Sequence, residues 1–203
     1  MYRKFFKRIL DILFSVIAIV VTLVPMLFIA IAVKLDSKGP ALFIAPRMGK
    51  GEKPFKFYKF RTMRTDAPKD CATILLDDNY LTRIGAFLRR TNLDEWPQLF
   101  CILKGDMSFV GPRPVVLSET GLIEARSKLG AYSVKPGLTG WAQINGKYGL
   151  EKDYLLKAKF DAEYVNKISF LFDLRCLFGT IAYVFSNKDD TALKKNDKEK
   201  KKK

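Results

Sequence analysis

The sequence predicts a mixed α/β protein that is mainly helical and is attached to a membrane by its N-terminal segment. An uncharged apolar run extends from Ile12 to Val33. Beyond it, apolar residues recur mostly at helical spacing, with one alternating stretch at 55–60. With 203 residues, 48% of them hydrophobic, the chain has enough apolar side chains for one folded core. We therefore expect three regions: a re-entrant membrane hairpin over 1–36, a folded domain over 37–186 and a basic, disordered tail over 187–203.

The apolar run is long enough to cross about 30 Å of hydrocarbon as a helix. Two features favour a helix-break-helix that returns to the side it entered from. Pro25 removes an internal hydrogen bond, and basic residues on both flanks draw both ends to the cytoplasmic side. We expect the membrane break between Ser15 and Pro25, with Ser15 or Thr22 bonding to the opened backbone groups. A kinked helix that spans the membrane is the alternative.

The rest of the chain alternates short extended segments with helices. The predicted elements, in order, are strands over 41–44 and 55–60, a polar loop over 67–79, helices over 81–90 and 92–103, Gly/Pro loops over 104–114 and 135–149, an amphipathic helix over 151–165 and a last apolar helix over 168–185. Thr91 and Asp94 form a capping-box-like start to the second helix. Asp173 and Arg175 make a second span expensive, so we expect the last helix to be interfacial or part of the core.

Charge and composition limit the chemistry. Lys and Arg number 36 against 21 Asp and Glu, and the net charge of +15 favours an anionic partner such as nucleic acid, acidic lipid or a phosphorylated substrate. The absence of His excludes Ser-His-Asp and Cys-His nucleophile pairs and His-ligated metals. The three cysteines form no CxxC pair, so neither a zinc site nor a disulfide framework is indicated. Catalysis would have to use carboxylates, Lys, Arg, Tyr or Cys.

The most informative motif is RRTNLDEWPQL at 89–99, in which Arg89 and Arg90 precede Asp94 and Glu95. One interpretation is ordinary helix electrostatics, since cations suit the end of one helix and carboxylates the start of the next. The other is a carboxylate nucleophile beside a divalent metal and Arg clamps. A carboxylate attacks phosphorus only when the negative charge of the substrate is neutralised.

A second motif, KGDMSFVGPRP at 104–114, has the composition of an anion-binding loop. Gly105 and Gly111 allow backbone amides to approach an anion, and Pro112 and Pro114 fix the loop around Arg113. Arg113 is then placed for a bidentate phosphate contact. A rigid surface turn is the alternative interpretation.

Two weaker signals complete the set. Lys59 and Arg61 end the 55–60 stretch, either as a solvated basic edge or as ligands of an anion. Gln143 lies in PGLTGWAQ (136–143), a loop that either packs into the core or holds a polar substrate. Each motif is weak alone.

Together, and in this order after a basic-flanked apolar segment, KFRTM (59–63), RRTNLDEWPQL, GDMSFVGPRP (105–114) and PGLTGWAQ resemble the bacterial sugar transferase family. These are small monotopic phosphoglycosyl transferases that start glycan assembly on a polyprenyl carrier. The resemblance covers about residues 1–185. It is to the minimal single-domain form, so we expect no preceding multi-span domain.

The resemblance implies a reaction at the cytoplasmic face of the bacterial inner membrane, in contact with its lipid. A UDP-sugar would transfer its sugar-1-phosphate to undecaprenyl or another polyprenyl phosphate and release UMP. By motif position, Asp94 would be the nucleophile that forms an aspartyl-phosphosugar, and Glu95 its partner in binding Mg²⁺ or activating the acceptor. The candidates for binding the substrates are Lys59, Arg61, Arg89, Arg90, Gly111, Pro112, Arg113 and Gln143.

Other functions fit the sequence less well. A nucleic-acid partner is not expected, because no helix-turn-helix, RNP or zinc pattern is present. A glycoside hydrolase is disfavoured, because adjacent helical residues such as Asp94 and Glu95 point about 100° apart and do not flank one bond. A non-catalytic basic membrane anchor or scaffold would explain the apolar run and the basic tail, and it stays open as the alternative. A homo-oligomer is compatible with the sequence, which does not identify the sugar.

Overall fold

The computed structural model describes residues 1–67, 80–145 and 153–183. It confirms a mainly helical chain with small sheets. Outside these ranges lie the predicted polar loop beyond Ala67, the end of the predicted loop over 135–149, the first two residues of the helix predicted over 151–165, the end of the helix predicted over 168–185 and the basic tail. The elements in chain order are a π-helical turn Tyr2–Phe6, α1 (Lys7–Asp36), β1 (Leu42–Met48), a 3₁₀ turn Lys50–Glu52, β2 (Pro54–Phe60), α2 (Arg83–Thr91), a 3₁₀ turn Leu93–Glu95, α3 (Gln98–Lys104), β3 (Ser108–Val110), α4 (Thr120–Lys128), a 3₁₀ turn Ala131–Ser133, β4 (Gly137–Thr139), α5 (Trp141–Ile144), α6 (Tyr154–Lys167) and α7 over 170–183.

The apolar N-terminal run forms one continuous helix, α1, of 30 residues with Pro25 inside it. The helix-break-helix expected between Ser15 and Pro25 is therefore not seen as an interruption of the helix. The Ser15 hydroxyl donates to the Ile12 carbonyl at 3.0 Å, and the Thr22 hydroxyl donates to the Ala18 carbonyl at 2.6 Å. Both hydroxyls thus bond within α1. In length and composition α1 could span a membrane.

One side of α1 packs against the rest of the domain along its whole length. Near its start, the Asp11 carboxylate accepts hydrogen bonds from the Ser108 hydroxyl and the Phe109 amide at 3.0 and 3.1 Å. In its middle, Ala18 and Ile19 pack against the core cluster of α3 and β2. Its last turns bury Met26 and Val33 beside Phe60 and Leu88.

The other side of α1 is apolar and exposed. Its exposed side chains include Leu13, Ile17, Val20, Val21, Val24, Leu27, Phe28 and Ile31. A contiguous exposed apolar surface of this length is unfavourable in water and marks a membrane or protein contact. α1 therefore contributes one side to the core and leaves an apolar side exposed.

Strands β1 and β2 form an antiparallel hairpin whose register runs from Leu42 opposite Phe60 to Met48 opposite Pro54. Both strands were predicted, but β1 continues beyond the predicted 41–44 because it pairs with the whole of β2. Phe57 and Phe60 are buried, in two different core clusters. The hairpin thus links the cluster at the middle of α1 with the cluster at its end.

The helix predicted over 92–103 is wrong in its first half. Thr91 is the last residue of α2, and its hydroxyl donates to carbonyls within that helix, so it caps nothing downstream. Asn92 has a left-handed φ of 56°, which ends α2 and lets the chain turn into the 3₁₀ turn Leu93–Glu95. Only then does α3 begin.

The two predicted Gly/Pro loops contain regular structure. β3 and β4 pair in parallel, with Ser108 opposite Gly137 and Val110 opposite Thr139, and α5 follows directly. Each strand has only three residues, too few for a period-2 pattern to be read. Their closeness depends on glycine, because a Cβ on Gly137 would lie 2.1 Å from the Gly111 amide nitrogen.

Helix α7 contains the two charges that disfavoured a second span. Asp173 is 5% exposed and accepts hydrogen bonds from the Tyr2 hydroxyl and the Lys7 ammonium, both at 2.5 Å, and from the Tyr164 hydroxyl at 2.7 Å. Arg175 lies over the Trp141 ring. These contacts tie the start of the chain to α7, whose described residues pack into the core.

Gly85 in α2 is in tight contact with the segment that follows β2. A Cβ on Gly85 would lie 1.9 Å from the Thr62 carbonyl oxygen. We expect Gly85→Ala to push α2 away and to reduce the free energy of unfolding by about 1–3 kcal/mol, measured by thermal denaturation. Gly121→Ala is the control, because its nearest neighbour atom is 3.6 Å away and helix α4 should gain up to about 1 kcal/mol. A Gly85→Ala protein that melts like the wild type would contradict this packing.

Candidate active site

Asp94 and Glu95 lie in the 3₁₀ turn between α2 and α3. The left-handed Asn92 before the turn and Pro97 after it fix the direction of the chain. Asp94 is 6% exposed, so its carboxylate is largely shielded from solvent, whereas Glu95 is partly exposed. Burying a carboxylate that accepts no hydrogen bond from the described residues costs desolvation free energy. Carboxylates held in this way are typical of functional sites.

Three basic side chains from three different elements act on Asp94. Lys59 comes from the end of β2, Arg89 from the last turn of α2 and Arg113 from the loop after β3. Burial and, secondly, the negative charge of Glu95 raise the pKa of Asp94, the three cations oppose this rise, and the resulting pKa is about 6. Asp94 is therefore a poorly solvated carboxylate held ionised at neutral pH by surrounding positive charge.

Lys59 experiences the reverse effect. Burial and, secondly, repulsion by Arg89 lower the pKa of Lys59, attraction by Asp94 opposes this fall, and the resulting pKa is about 8. The Arg89 guanidinium is itself oriented by a hydrogen bond from its Nε to the Thr62 hydroxyl at 3.0 Å. Lys59 and Asp94 thus form a pair of titrating groups whose pKa values approach each other across neutral pH.

Glu95 is bound by Arg113. The Arg113 guanidinium donates from its two terminal nitrogens to the two carboxylate oxygens of Glu95, a bidentate contact. Burial alone would raise the pKa of Glu95, but the charge and hydrogen bonds of Arg113, with a further hydrogen bond from Gln98, lower it. Glu95 therefore stays ionised where Asp94 is close to titrating.

A buried ion pair behind the site holds the Arg113 loop. Arg126 in α4 and Asp161 in α6 are each 1% exposed, and Arg126 Nε donates to Asp161 at 2.7 Å. Nη1 of the same guanidinium donates to the Arg113 carbonyl at 2.8 Å. Sequence reasoning missed this pair, because each residue alone looks like a charge on the polar face of an amphipathic helix.

Arg47, also missed, adds a fourth cation. It lies on β1 opposite Phe55, with its guanidinium 5.4 Å from the centre of the Phe57 ring. Burial lowers the pKa of Arg47, and Arg113 lowers it further, while Glu119 opposes this. No sequence signal indicated it, because the strand was predicted only over 41–44, whereas the hairpin register puts residue 47 on the same face as Lys59.

Two predicted site residues lie elsewhere. The Arg61 guanidinium is buried and donates to the Ser37 carbonyl and hydroxyl at 2.7 and 2.8 Å, so it caps the end of α1. Arg90 is exposed and lies over the Phe87 ring. The structure brings neither to the carboxylates.

Gly111, Pro112 and Gln143 have structural partners in the β3 and β4 loops. The Gly111 amide donates to Thr139 at 2.8 Å, so it is not free to bind an anion, and the Pro112 carbonyl accepts from the Gly137 amide. The Gln143 side-chain amide donates to the Leu138 carbonyl at 3.1 Å. These residues shape the loop that carries Arg113.

The sequence matches a known family. A family model described as bacterial sugar transferase matches residues 2–187. The chain belongs to the bacterial sugar transferase family. This confirms the resemblance that the motifs indicated.

Similar family members are known from several bacteria. The chain is 40% identical to the UDP-glucose:undecaprenyl-phosphate glucose-1-phosphate transferase of Escherichia coli (strain K12), over 92% of this chain and 41% of that protein. It is 37% identical to the UDP-N-acetylgalactosamine-undecaprenyl-phosphate N-acetylgalactosaminephosphotransferase of Aeromonas hydrophila, over 90% and 44%. It is 40% identical to the exopolysaccharide production protein PSS of Rhizobium leguminosarum bv. phaseoli, over 86% and 92%. The chain thus spans less than half the length of the first two proteins.

The carboxylates of Asp94 and Glu95 are suitable ligands for a divalent cation, provided that a bound substrate supplies the remaining ligands. No group of three or more acidic, Cys or His residues that could hold a metal occurs in the three described ranges. Mg²⁺ is commonly held by one or two carboxylates together with substrate phosphates. Asp94 and Glu95 supply such a pair, and the described residues donate no hydrogen bond to the Asp94 carboxylate, which leaves its lone pairs available.

Proposed function

We propose that the protein transfers a sugar-1-phosphate from a UDP-sugar to a polyprenyl phosphate such as undecaprenyl phosphate, and that it releases UMP. The observation that carries the proposal is Asp94, a buried carboxylate whose pKa is raised to about 6 while three cations surround it. The names of the relatives support this substrate class. The reaction would be the first membrane step of glycan biosynthesis.

The reaction would proceed in two phosphoryl transfers. In the first, an Asp94 carboxylate oxygen forms a bond to the phosphorus that bears the sugar, and the bond from that phosphorus to the bridging oxygen breaks, so that UMP leaves with the electron pair. In the second, a phosphate oxygen of the polyprenyl phosphate attacks the same phosphorus, and Asp94 leaves as a free carboxylate. The bond between the sugar and its phosphate oxygen stays intact. A covalent intermediate of this kind predicts ping-pong kinetics.

The cations would make this attack possible by neutralising the diphosphate. Lys59, Arg89 and Arg113 already offset the charge of Asp94, and Arg47 adds a further positive charge near Lys59 and Arg113. Glu95, kept ionised by Arg113, would share Mg²⁺ with Asp94. When bound, Mg²⁺ would neutralise charge on the phosphate oxygens of the donor.

The membrane arrangement follows from α1. In a helix that spans the bilayer, the middle lies in the hydrocarbon, out of reach of a domain on one side of the membrane. α1 instead contacts this domain at its start, middle and end. We therefore place α1 within one leaflet, with both basic ends at the cytoplasmic face of the inner membrane. With the three native cysteines replaced by Ser, single cysteines introduced by Arg3→Cys and Lys38→Cys should both react with an impermeant thiol reagent from the cytoplasmic side alone. Labelling of one of them from the opposite side would indicate a spanning helix.

The direct test of the function is a donor panel. Purified protein in lipid would be incubated with undecaprenyl phosphate, Mg²⁺ and radiolabelled UDP-sugars, and both UMP and labelled lipid would be measured. We expect one or a few donors to yield the two products in equal amounts. Folded protein that yields UMP from no donor, or that yields free sugar instead of lipid-linked sugar phosphate, would refute the proposed reaction.

The pH dependence of kcat/KM should reflect the shifted pKa values of both Asp94 and Lys59. Asp94 attacks as the carboxylate, so kcat/KM should fall as the pH drops below about 6, and Lys59 acts as the cation, so kcat/KM should fall again above about 8. Lys59→Arg keeps the positive charge to much higher pH and should remove the alkaline limb while the acid limb stays. An unchanged alkaline limb in this variant would exclude Lys59 as its origin.

A further inference from the structure

A second cationic site lies at the start of α1, in a cavity of 480 Å³. Five cations line it, together with Asp11, and they come from three parts of the chain: the first turns, the turn between β1 and β2, and the segment before β4. The five are Arg3, Lys7, Arg8, Lys50 and Lys135.

The negative charges near this cavity are already engaged. Asp11 accepts hydrogen bonds from Ser108 and Phe109, and Lys7 is paired with Asp173 at 2.5 Å. Across the described parts of the chain, the other four cations of the cavity form no ion pair. The cavity therefore has an excess of positive charge that Asp11 and Asp173 offset only in part.

Like charges are held close together in this cavity. The Arg8 guanidinium and the Lys135 ammonium both lie within 3.4 Å of the position that a Cβ would take on Gly105. Burial lowers the pKa of Lys135, and repulsion by Arg8 and Lys50 adds to this, while Asp11 and Asp106 oppose it. Arg8 is fixed in place because it donates to the Ile102 and Leu103 carbonyls. An arrangement of this kind is costly unless an anion joins it.

The cavity is separate from the carboxylate site. Arg8 binds the C-terminal end of α3, whereas Asp94 precedes the N-terminal end of the same helix. The seven residues of α3 place about 10 Å between the two ends. A phosphate in the cavity is therefore too far away for attack by Asp94, so the cavity is not the reaction site.

Exposed apolar side chains adjoin the cavity. Phe5 and Ile9 are exposed on the first turns of the chain, and Phe170, also exposed, packs edge-to-face with Tyr2. Ile168 lines the cavity itself. A ligand with an anionic head and apolar chains would satisfy both features at once, since its head would neutralise the cations and its chains would cover these side chains.

We propose that this cavity binds the phosphate of an anionic phospholipid headgroup, and that the acyl chains of the lipid lie against the exposed apolar side chains at the starts of α1 and α7. The lipid is a structural partner and takes no part in the phosphoryl transfer. The proposal does not depend on the reaction proposed above, because it concerns binding at the opposite end of α3.

The test is lipid binding by the full chain, purified in neutral detergent and titrated with phosphatidylglycerol or phosphatidylcholine under native mass spectrometry. Wild-type protein should retain one phosphatidylglycerol in preference to phosphatidylcholine. The variant Lys50→Gln/Lys135→Gln should bind it about 25-fold more weakly, about fivefold for each lysine. Lys53→Gln/Lys128→Gln removes the same charge from exposed sites outside the cavity and should bind like the wild type.

Several results would overturn the proposal. Equal losses in the two double variants, or no loss in the cavity variant, would mean that binding reflects general surface charge. Displacement of phosphatidylglycerol by inorganic phosphate at similar concentrations would identify a site for soluble anions. Preferential displacement by undecaprenyl phosphate would identify a site for the acceptor. Melting curves of both variants should match the wild type, so that a binding loss cannot be attributed to unfolding.

Discussion

Asp94→Asn should lower kcat/KM by about 10³-fold or more, because an amide of the same shape cannot attack phosphorus. The variant should also form no covalent adduct. Wild-type protein incubated with its UDP-sugar and Mg²⁺, without acceptor, should gain the mass of one sugar phosphate, and peptide analysis should place this gain on residue 94. Addition of polyprenyl phosphate should remove it.

A loss of activity in this variant would not come from unfolding. Because the pKa of Asp94 is raised in the folded protein, ionisation of Asp94 destabilises the fold fully above about pH 6. A neutral Asn avoids this cost, so Asp94→Asn should melt at the same temperature as the wild type or higher at pH 8. An adduct on another residue, or turnover that survives the substitution, would refute the covalent mechanism. An unchanged cellular role of the variant would instead favour the non-catalytic scaffold.

Breaking the buried ion pair behind the site should have the largest effect on stability. Arg126→Met leaves Asp161 buried and charged, which we expect to reduce the free energy of unfolding by about 3–5 kcal/mol. For a chain of this size, that corresponds to a fall in melting temperature of roughly 6–20 °C. Scanning fluorimetry in detergent would measure it.

The double variant Arg126→Met/Asp161→Leu separates stability from activity. With both charges removed, most of the lost stability should return, since a buried pair is often replaceable by apolar residues of similar volume. Its kcat/KM should nevertheless stay below that of the wild type, because the Arg113 carbonyl has lost its donor. A double variant that melts as low as Arg126→Met would show that the pair is needed for more than charge compensation.

Much of the fold could be predicted because its signals are local. Helices α2, α6 and α7 and strand β2 follow from apolar spacing over several turns or pleats, and part of β1 was also predicted, whereas the pairing of the two strands was not. The parallel pairing of β3 with β4 could not, because it is a non-local contact between two three-residue strands. The left-handed conformation of Asn92 could not be predicted either, because Asn tolerates this conformation but adopts others equally well.

The candidate site shows the same division. Motif positions identified Asp94, Glu95 and Arg113, and the structure brings these three together. Chain-local charge did not distinguish Arg61, which caps α1, from Lys59, which acts on Asp94 two residues away. β2 ends at Phe60, so Arg61 lies beyond the strand, where its guanidinium reaches Ser37 at the end of α1.

The side of α1 that faces the domain has a consequence for handling the protein. Met26 and Val33, which are 6% and 2% exposed, share one cluster with Phe60 and Leu88. Removing α1 to obtain a water-soluble version would therefore strip one wall from the hydrophobic interior and leave it open to solvent. The same helix that exposes an apolar surface is thus also needed to complete the tertiary structure.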